Sequence, residues 1–144
     1  MAIYQQHFGD SNSNIARLMS NLAELVKETD GLAEAESLMR KALEIDRQVF
    51  NENNSEIAID LANLALLLKL TNRMAEAEPK MREALEIDRQ YYGEDHPEVA
   101  SDLNNLAQLL KATHRMTEAE LLMRRALEID RKSFGEIIQL LQEN

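Results

Sequence analysis

Apolar residues recur every three or four positions along most of the chain, which is the period of an amphipathic helix. One such stripe consists of Leu103, Leu106, Ala107 and Leu110. The next stripe consists of Ala119, Met123, Ala126 and Leu127. Because only a few residues separate the two stripes, the pattern predicts two antiparallel helices joined by a tight turn.

This helix pair is one copy of a unit that repeats every 42 residues. The sequence ALEIDR occurs at residues 42–47, 84–89 and 126–131. Residues 63–89 and 105–131 are identical at 20 of 27 positions. A single hairpin cannot bury its apolar face alone, so the repeat predicts an all-α solenoid of stacked antiparallel helix hairpins.

The repeat divides the chain into three units with a flanking segment at each end. The units comprise residues 11–51, 52–93 and 94–135. Residues 1–10 are predicted to be either the tail of a preceding second helix, in a slice from a longer array, or an N-terminal cap. Residues 136–144 are predicted to form a short C-terminal capping helix over the last hairpin.

Two sets of equivalent residues predict where the helices end. Asp30, Asn72 and His114 occupy one linker position, and these residue types tolerate the left-handed conformation that often closes a helix. A second set is predicted to close the second helix of each unit with a positive φ angle. It consists of Gly9, Asn51, Gly93 and Gly135.

Composition excludes several classes of function. A net charge of −10 disfavours nucleic acid as a partner, since phosphate binding requires clustered Lys and Arg. The chain has no cysteine, so a reducing, cytoplasmic location is expected. The first residues do not resemble a secretory signal, and polar residues interrupt the most apolar segment, so no membrane association is predicted.

The sequence also contains few residues arranged for catalysis or metal binding. Its three histidines lie at helix ends or in linkers of different units, without a neighbouring nucleophile. EAE triplets begin at residues 34, 76 and 118, where acidic charge is favourable near a helix N-terminus. We therefore predict no catalytic residue, no metal site and no cofactor, and we expect that the chain is not an enzyme.

Together, the motifs NLA-x-L, EAE, ALEI and YYGEDHPEVA resemble a known family. This is the 42-residue class of tetratricopeptide repeat found in kinesin light chains and in many bacterial repeat arrays. The resemblance covers nearly the whole chain. It implies a right-handed superhelix whose concave groove, lined by the first helix of each unit, binds a peptide or protein segment of a partner.

The first helix of the middle unit carries more apolar residues than packing requires. Its core positions are predicted to be Ile57, Leu61, Leu64, Ala65, Leu67 and Leu68. A second stripe remains on another face and consists of Ile59, Ala62, Leu66 and Leu70. The equivalent residues of the other two units are mostly polar, so these four residues are predicted to contact a partner.

Polar side chains are expected around this apolar centre. By the resemblance, Asn21, Asn63 and Asn105 form a ladder facing the groove. The ladder is expected either to hydrogen-bond the backbone of a bound peptide or to tie adjacent helices together. Further polar contacts are expected from Lys69, Gln108 and Lys111.

Three functions follow from this reading. The first is an interaction module that binds a peptide or protein segment in its concave groove. The second is self-association, in which the apolar stripe or the truncated N-terminal face meets a second copy as a homodimer or stacked array. The third is a regulatory or recognition part of a larger signalling enzyme.

Overall fold

A computed structural model describes residues 2–50 and 54–143, and these residues form helices and short turns without a strand. The helices within this part of the chain are α1 (Ala2–Glu28), α2 (Leu32–Val49), α3 (Ser55–Leu70), α4 (Met74–Tyr92), α5 (Pro97–Ala112) and α6 (Met116–Gln142). The prediction of an all-α fold is therefore confirmed.

Each unit is a hairpin, and consecutive hairpins stack. Helices α1 and α2, α3 and α4, and α5 and α6 pair within units, while α2–α3 and α4–α5 contacts join neighbouring units. Alanines with no exposed surface, such as Ala65, Ala77 and Ala107, allow the helices to approach closely. All six predicted core residues of α3 are buried. The result is an α-solenoid in which the second helix of each unit packs against the first helix of the next.

The turns inside the hairpins have the predicted left-handed residue. The φ angles of Asp30, Asn72 and His114 are 67°, 61° and 63°. In each turn, the amide of the following residue donates to the carbonyl five positions earlier, at 2.8–2.9 Å. This bond satisfies a carbonyl that the helix end would otherwise leave unpaired, so the turn closes the helix and reverses the chain.

The junction between the second and third units also follows the prediction. Gly93 has a φ of 91° and directly follows α4. Pro97 then begins α5, and the His96 Nδ1 atom accepts a hydrogen bond from the Glu98 amide at 3.0 Å. Proline at the first helical position fixes the backbone for helix entry. The equivalent Asn51 lies outside the described residues.

The helix ends predicted at Gly9 and Gly135 are wrong. Helices α1 and α6 each run through the glycine and contain 27 residues, so residues 136–142 continue α6 and are not a separate helix. One glycine costs a helix only about 1 kcal/mol, which helix-forming neighbours offset.

The expected cover over the last hairpin is also missing. The apolar residues Ile137, Ile138, Leu140 and Leu141 are exposed on the extension of α6. A helix that continues straight carries these side chains past the hairpin and does not fold them back onto it. The part of the prediction that assigned them a capping role is therefore wrong.

A closed ring of charged side chains bridges the first and second units. Arg40 of α2 contacts Glu36 on its own helix at 3.0 Å and Glu76 of α4 at 2.6 Å. Arg73 contacts the second carboxylate oxygen of both glutamates. Exposed ion pairs contribute little free energy individually, but this ring favours one register between the helices that it joins.

The ring recurs 42 residues later, with pairs at 2.6–3.0 Å. It consists of Glu78, Arg82, Arg115 and Glu118. Hydrogen bonds from Arg40 and Arg82 lower the pKa of Glu76 and Glu118 respectively. The EAE glutamates therefore connect neighbouring units in addition to lying near helix N-termini.

Because the units stack, the same substitution at equivalent positions should lower the free energy of unfolding by different amounts. Leu85 is 5% exposed and Leu127 is 49% exposed, because only the former is covered by a following unit. We expect Leu85→Ala to lower the free energy of unfolding by about 2–5 kcal/mol. Leu127→Ala should lower it by about 0.5 kcal/mol or less.

Urea unfolding followed by circular dichroism, at a concentration where the chain is monomeric, measures both values. Equal losses for the two variants would contradict the view that the junction between units supplies the packing energy.

Candidate functional site

Helix α3 is apolar on two faces, one of which lies in the core while the other packs against the core only in part, through Ala62 and Leu66. Ile59 and Leu70 are 49% and 63% exposed, and Ala62 and Leu66 are half-buried. These four residues, hereafter the apolar stripe, are spaced so that they lie along one side of the helix. A continuous apolar surface of this kind, bordered by polar residues, is typical of a binding site.

The apolar stripe is confined to the middle unit. The equivalent residues of α1 are Arg17, Ser20, Glu24 and Glu28. The equivalent residues of α5 are Ser101, Asn104, Gln108 and Ala112. Since the first and third units form the same hairpin with mostly polar residues at these positions, the exposed apolar residues Ile59 and Leu70 are not required by the hairpin itself.

The asparagine ladder lies next to the apolar stripe. Asn21 is exposed, and Asn63 and Asn105 are half-buried. Asn21, Asn63 and Ile59 line one cavity of about 160 Å³ between α1 and α3. The structure thus brings three of the predicted contact residues together, with their polar groups near an apolar side chain.

The other predicted polar contacts are distributed differently. Lys69 is half-buried near the end of α3, and Gln108 is half-buried on α5. Lys111 lines a separate cavity with Met116 and Leu127 at the exposed end of the third unit. Lys111 therefore belongs to the end of the solenoid, away from the cavity that holds the asparagines.

Sequence reasoning missed a pair of buried aspartates at each junction between units. Asp46 and Asp60 are 4% and 6% exposed, and the equivalent Asp88 and Asp102 are 5% and 4% exposed one repeat later. A signal was present, because Asp60 is spaced three and four residues from the core residues Ile57 and Leu64. An ionisable residue at a core position of a helix is a reason to expect special chemistry.

The environment of each pair favours the protonated form of one aspartate, Asp60 or Asp102. Burial, followed by the hydrogen bond and charge of Asp46, raises the pKa of Asp60 to about 9. Burial, followed by the hydrogen bond and charge of Asp88, raises the pKa of Asp102 to about 9. Two carboxyl groups that face each other away from water are most stable when they share a proton.

These pKa values predict that stability falls as pH rises. An aspartate of the unfolded chain has a pKa of about 3.9, so between about pH 4 and about pH 9 only the folded chain retains the proton. The free energy of unfolding should decrease by at most about 1.4 kcal/mol per pH unit for each retained proton. Asp102→Asn, which resembles the protonated acid, should make this dependence shallower.

Urea unfolding between about pH 5 and about pH 8 tests the dependence in the wild type and the variant. A free energy of unfolding that stays constant or rises with pH in the wild type would contradict the shared proton.

The described part of the chain shows neither a metal site nor a membrane-spanning helix. Its residues contain no group of three or more His, Asp or Glu side chains placed to hold a metal ion. None of its helices is both long enough and apolar enough to cross a membrane.

Stacked helix hairpins with surplus apolar surface on a first helix define a helical repeat protein of the solenoid class. The family model described as tetratricopeptide repeat matches residues 14–90 and 56–132. The chain therefore belongs to the tetratricopeptide repeat family, whose repeats generally serve as protein-interaction modules. A search of curated protein sequences gives no match.

Solved structures with the same fold include BtubC (BKLC) from P. vanneervenii, at 29% identity and a TM-score of 0.77 over 81% of this chain and 46% of that one. A P. anserina protein with nearly identical TPR-like repeats has 19% identity and a TM-score of 0.77 over 85% and 57%. The N-terminal domain of stress-induced protein-1 from C. elegans has 17% identity and a TM-score of 0.66 over 92% and 95%. The chain thus spans about half the length of the first two neighbours.

Proposed function

We propose that this chain is a non-catalytic interaction module that binds a peptide or protein segment in the groove formed by its first helices. The observation that carries the proposal is the apolar stripe of α3, in which Ile59 and Leu70 are 49% and 63% exposed. Membership of a family of interaction modules supports it. The absence of cysteine supports a cytoplasmic location.

In this mechanism, apolar side chains of the partner dock on Ile59 and Leu70, the most exposed members of the stripe. Their burial supplies the affinity, at about 25 cal/mol per Å² of apolar surface before the costs of association. The amides of Asn63 and Asn105 fix the backbone of the partner, since each amide both donates and accepts. This arrangement has the apolar centre and polar rim of a protein interface.

Replacing the stripe with the residues of the third unit should abolish binding and leave the fold intact. The variant carries Ile59→Ser, Ala62→Asn, Leu66→Gln and Leu70→Ala. A peptide selected from a random library against the wild-type chain provides the ligand, and its affinity is measured by calorimetry. Losing the stripe should weaken binding at least about tenfold, while helicity and the thermal midpoint stay close to those of the wild type.

The matched control is a variant with Met116→Gln and Leu127→Gln, which removes exposed apolar surface from the end of the solenoid. It should bind the peptide like the wild type. A loss of helicity in the stripe variant would show that the stripe belongs to the core, and unchanged peptide affinity would place the binding site elsewhere.

A second candidate function, self-association, is favoured by the two ends of the solenoid. Ile15, Leu18, Leu22 and Leu25 of α1 are exposed, although the equivalent positions of α3 are buried against α2. At the other end, Leu127 is exposed although its equivalent Leu85 is buried. The two open faces correspond to the two sides of the junctions inside the chain, so they fit a second copy stacked head to tail.

The charged rings support the same partner. Glu120 and Arg124 of α6 contact each other at 2.9 Å and are the equivalents of Glu78 and Arg82, which belong to a complete ring. In a stacked copy, Arg124 would meet Glu34, the equivalent of Glu76 and Glu118. The position equivalent to Arg73 is Gly31, so this ring would have three members.

Light scattering over a wide range of concentration tests the stacking. We expect the mass to rise above 16.5 kDa with concentration in the wild type and in the stripe variant. The end variant Met116→Gln with Leu127→Gln should remain a monomer. A wild-type chain that stays monomeric throughout would show that a different segment, and not a second copy, covers these faces.

A further inference from the structure

The cavity between α1 and α3 is strongly acidic. Of the described residues that line it, four carry carboxyl groups and Arg17 alone carries a positive charge. The carboxyl groups are those of Glu24, which also pairs with Lys27 at 2.8 Å, and of Asp46, Glu56 and Asp60. Ser20, Asn21 and Asn63 add neutral polar groups, and Ile59 adds an apolar wall.

An unsatisfied polar atom lies among these residues. Asp60 is 6% exposed, and although Ser20 and Asp46 interact with its carboxyl group, its Oδ2 atom is buried without a hydrogen-bond partner. Leaving a buried oxygen unpaired costs free energy, so such an atom in a cavity calls for a donor. At about 160 Å³, the cavity has room for several times the roughly 30 Å³ that one water molecule occupies.

The second junction repeats the aspartates but not their polar surroundings. The positions of Arg17, Ser20 and Glu24 are taken by Ile59, Ala62 and Leu66. The Asp102 Oδ2 atom is also unpaired, so the aspartate pair is a feature of the repeat. The acidic, polar approach to the pair is a feature of the first junction alone.

We infer that the cavity between α1 and α3 binds a positively charged side chain, a guanidinium or ammonium group, of the segment that occupies the groove. The inference rests on the proposed function for the source of this side chain. Ile59 lines the cavity and also belongs to the apolar stripe, so the two sites are continuous. The partner segment therefore carries Arg or Lys beside its apolar residues, and the surplus of carboxyl groups attracts it.

Binding of a cation is linked to release of a proton. The groups around Asp60 are Asp46 from α2, Glu56 from its own helix, and Ser20, Glu24 and Arg17 from α1. Without a bound cation, burial raises the pKa of Asp60 to about 9, so the carboxyl retains its proton at neutral pH. A cation lowers this pKa, and its affinity should therefore increase as pH rises towards about 9.

The test uses N-acetylarginine N-methylamide as the probe, followed by amide NMR shifts of the ¹⁵N-labelled chain. Saturable shifts are expected at residues that line the cavity, with higher affinity at higher pH. Asp60→Asn should weaken binding on the order of tenfold or more, because it removes the carboxylate that pairs with the cation. Arg17→Gln should strengthen binding, because it removes a competing charge.

Two controls make the result specific. Asp102→Asn is the same change at the second junction and should leave probe binding unchanged. The citrulline analogue of the probe has the same shape without the charge and should not bind. Equal binding of both probes, or unchanged affinity in both Asp60→Asn and Arg17→Gln, would overturn the inference.

The test of the cation site and the test of peptide binding to the apolar stripe can fail independently. If the arginine probe binds the cavity but no peptide binds the apolar stripe, the proposed function fails and the cation site remains. If a peptide binds the stripe but the arginine probe produces no shifts in the cavity, the cation site fails alone.

Discussion

The structure depends on the fact that a two-helix hairpin cannot bury its own apolar face. Each unit has an apolar surface on both sides, and stacking satisfies both sides only for the middle unit. This is why Leu85 is buried while its equivalent Leu127 is exposed. The ion rings and the paired aspartates lie at the same junctions, so packing, charge and protonation all act where one unit meets the next.

The stacking also makes the apolar stripe interpretable. In a protein without repeats, an exposed Ile59 would be unremarkable, because many surface residues are apolar. Here the first and third units show which positions the fold requires, and Arg17 and Ser101 stand where Ile59 stands. Ile59 also lines the acidic cavity, so one side chain connects an apolar surface with a group of buried carboxyls. A partner that is both apolar and basic matches the two together.

Much of this could be predicted from sequence because the repeat supplies internal comparisons. The period predicted the hairpins, the left-handed residues Asp30, Asn72 and His114, and the core of α3. The helix ends predicted at Gly9 and Gly135 are wrong, because a single glycine does not end a helix whose neighbouring residues favour helix formation.

The sequence pattern does not predict which side chains of different units contact each other. A period shows which residues are equivalent, but not that Arg40 reaches Glu76 or that Asp46 faces Asp60. These contacts depend on how far one hairpin is rotated relative to the next. The exposure of Ile59 and Leu70 was predictable from helix periodicity together with the comparison of the three units, and their role in binding remains a proposal.

The most direct test of the central claim is methyl NMR of the chain with a library-selected peptide. The account predicts intermolecular NOEs from the peptide to the methyl groups of Ile59, Leu66 and Leu70, and none to Leu127. NOEs to Leu127 without any to the stripe would show that partners bind the end of the solenoid, and would contradict the assignment of the groove.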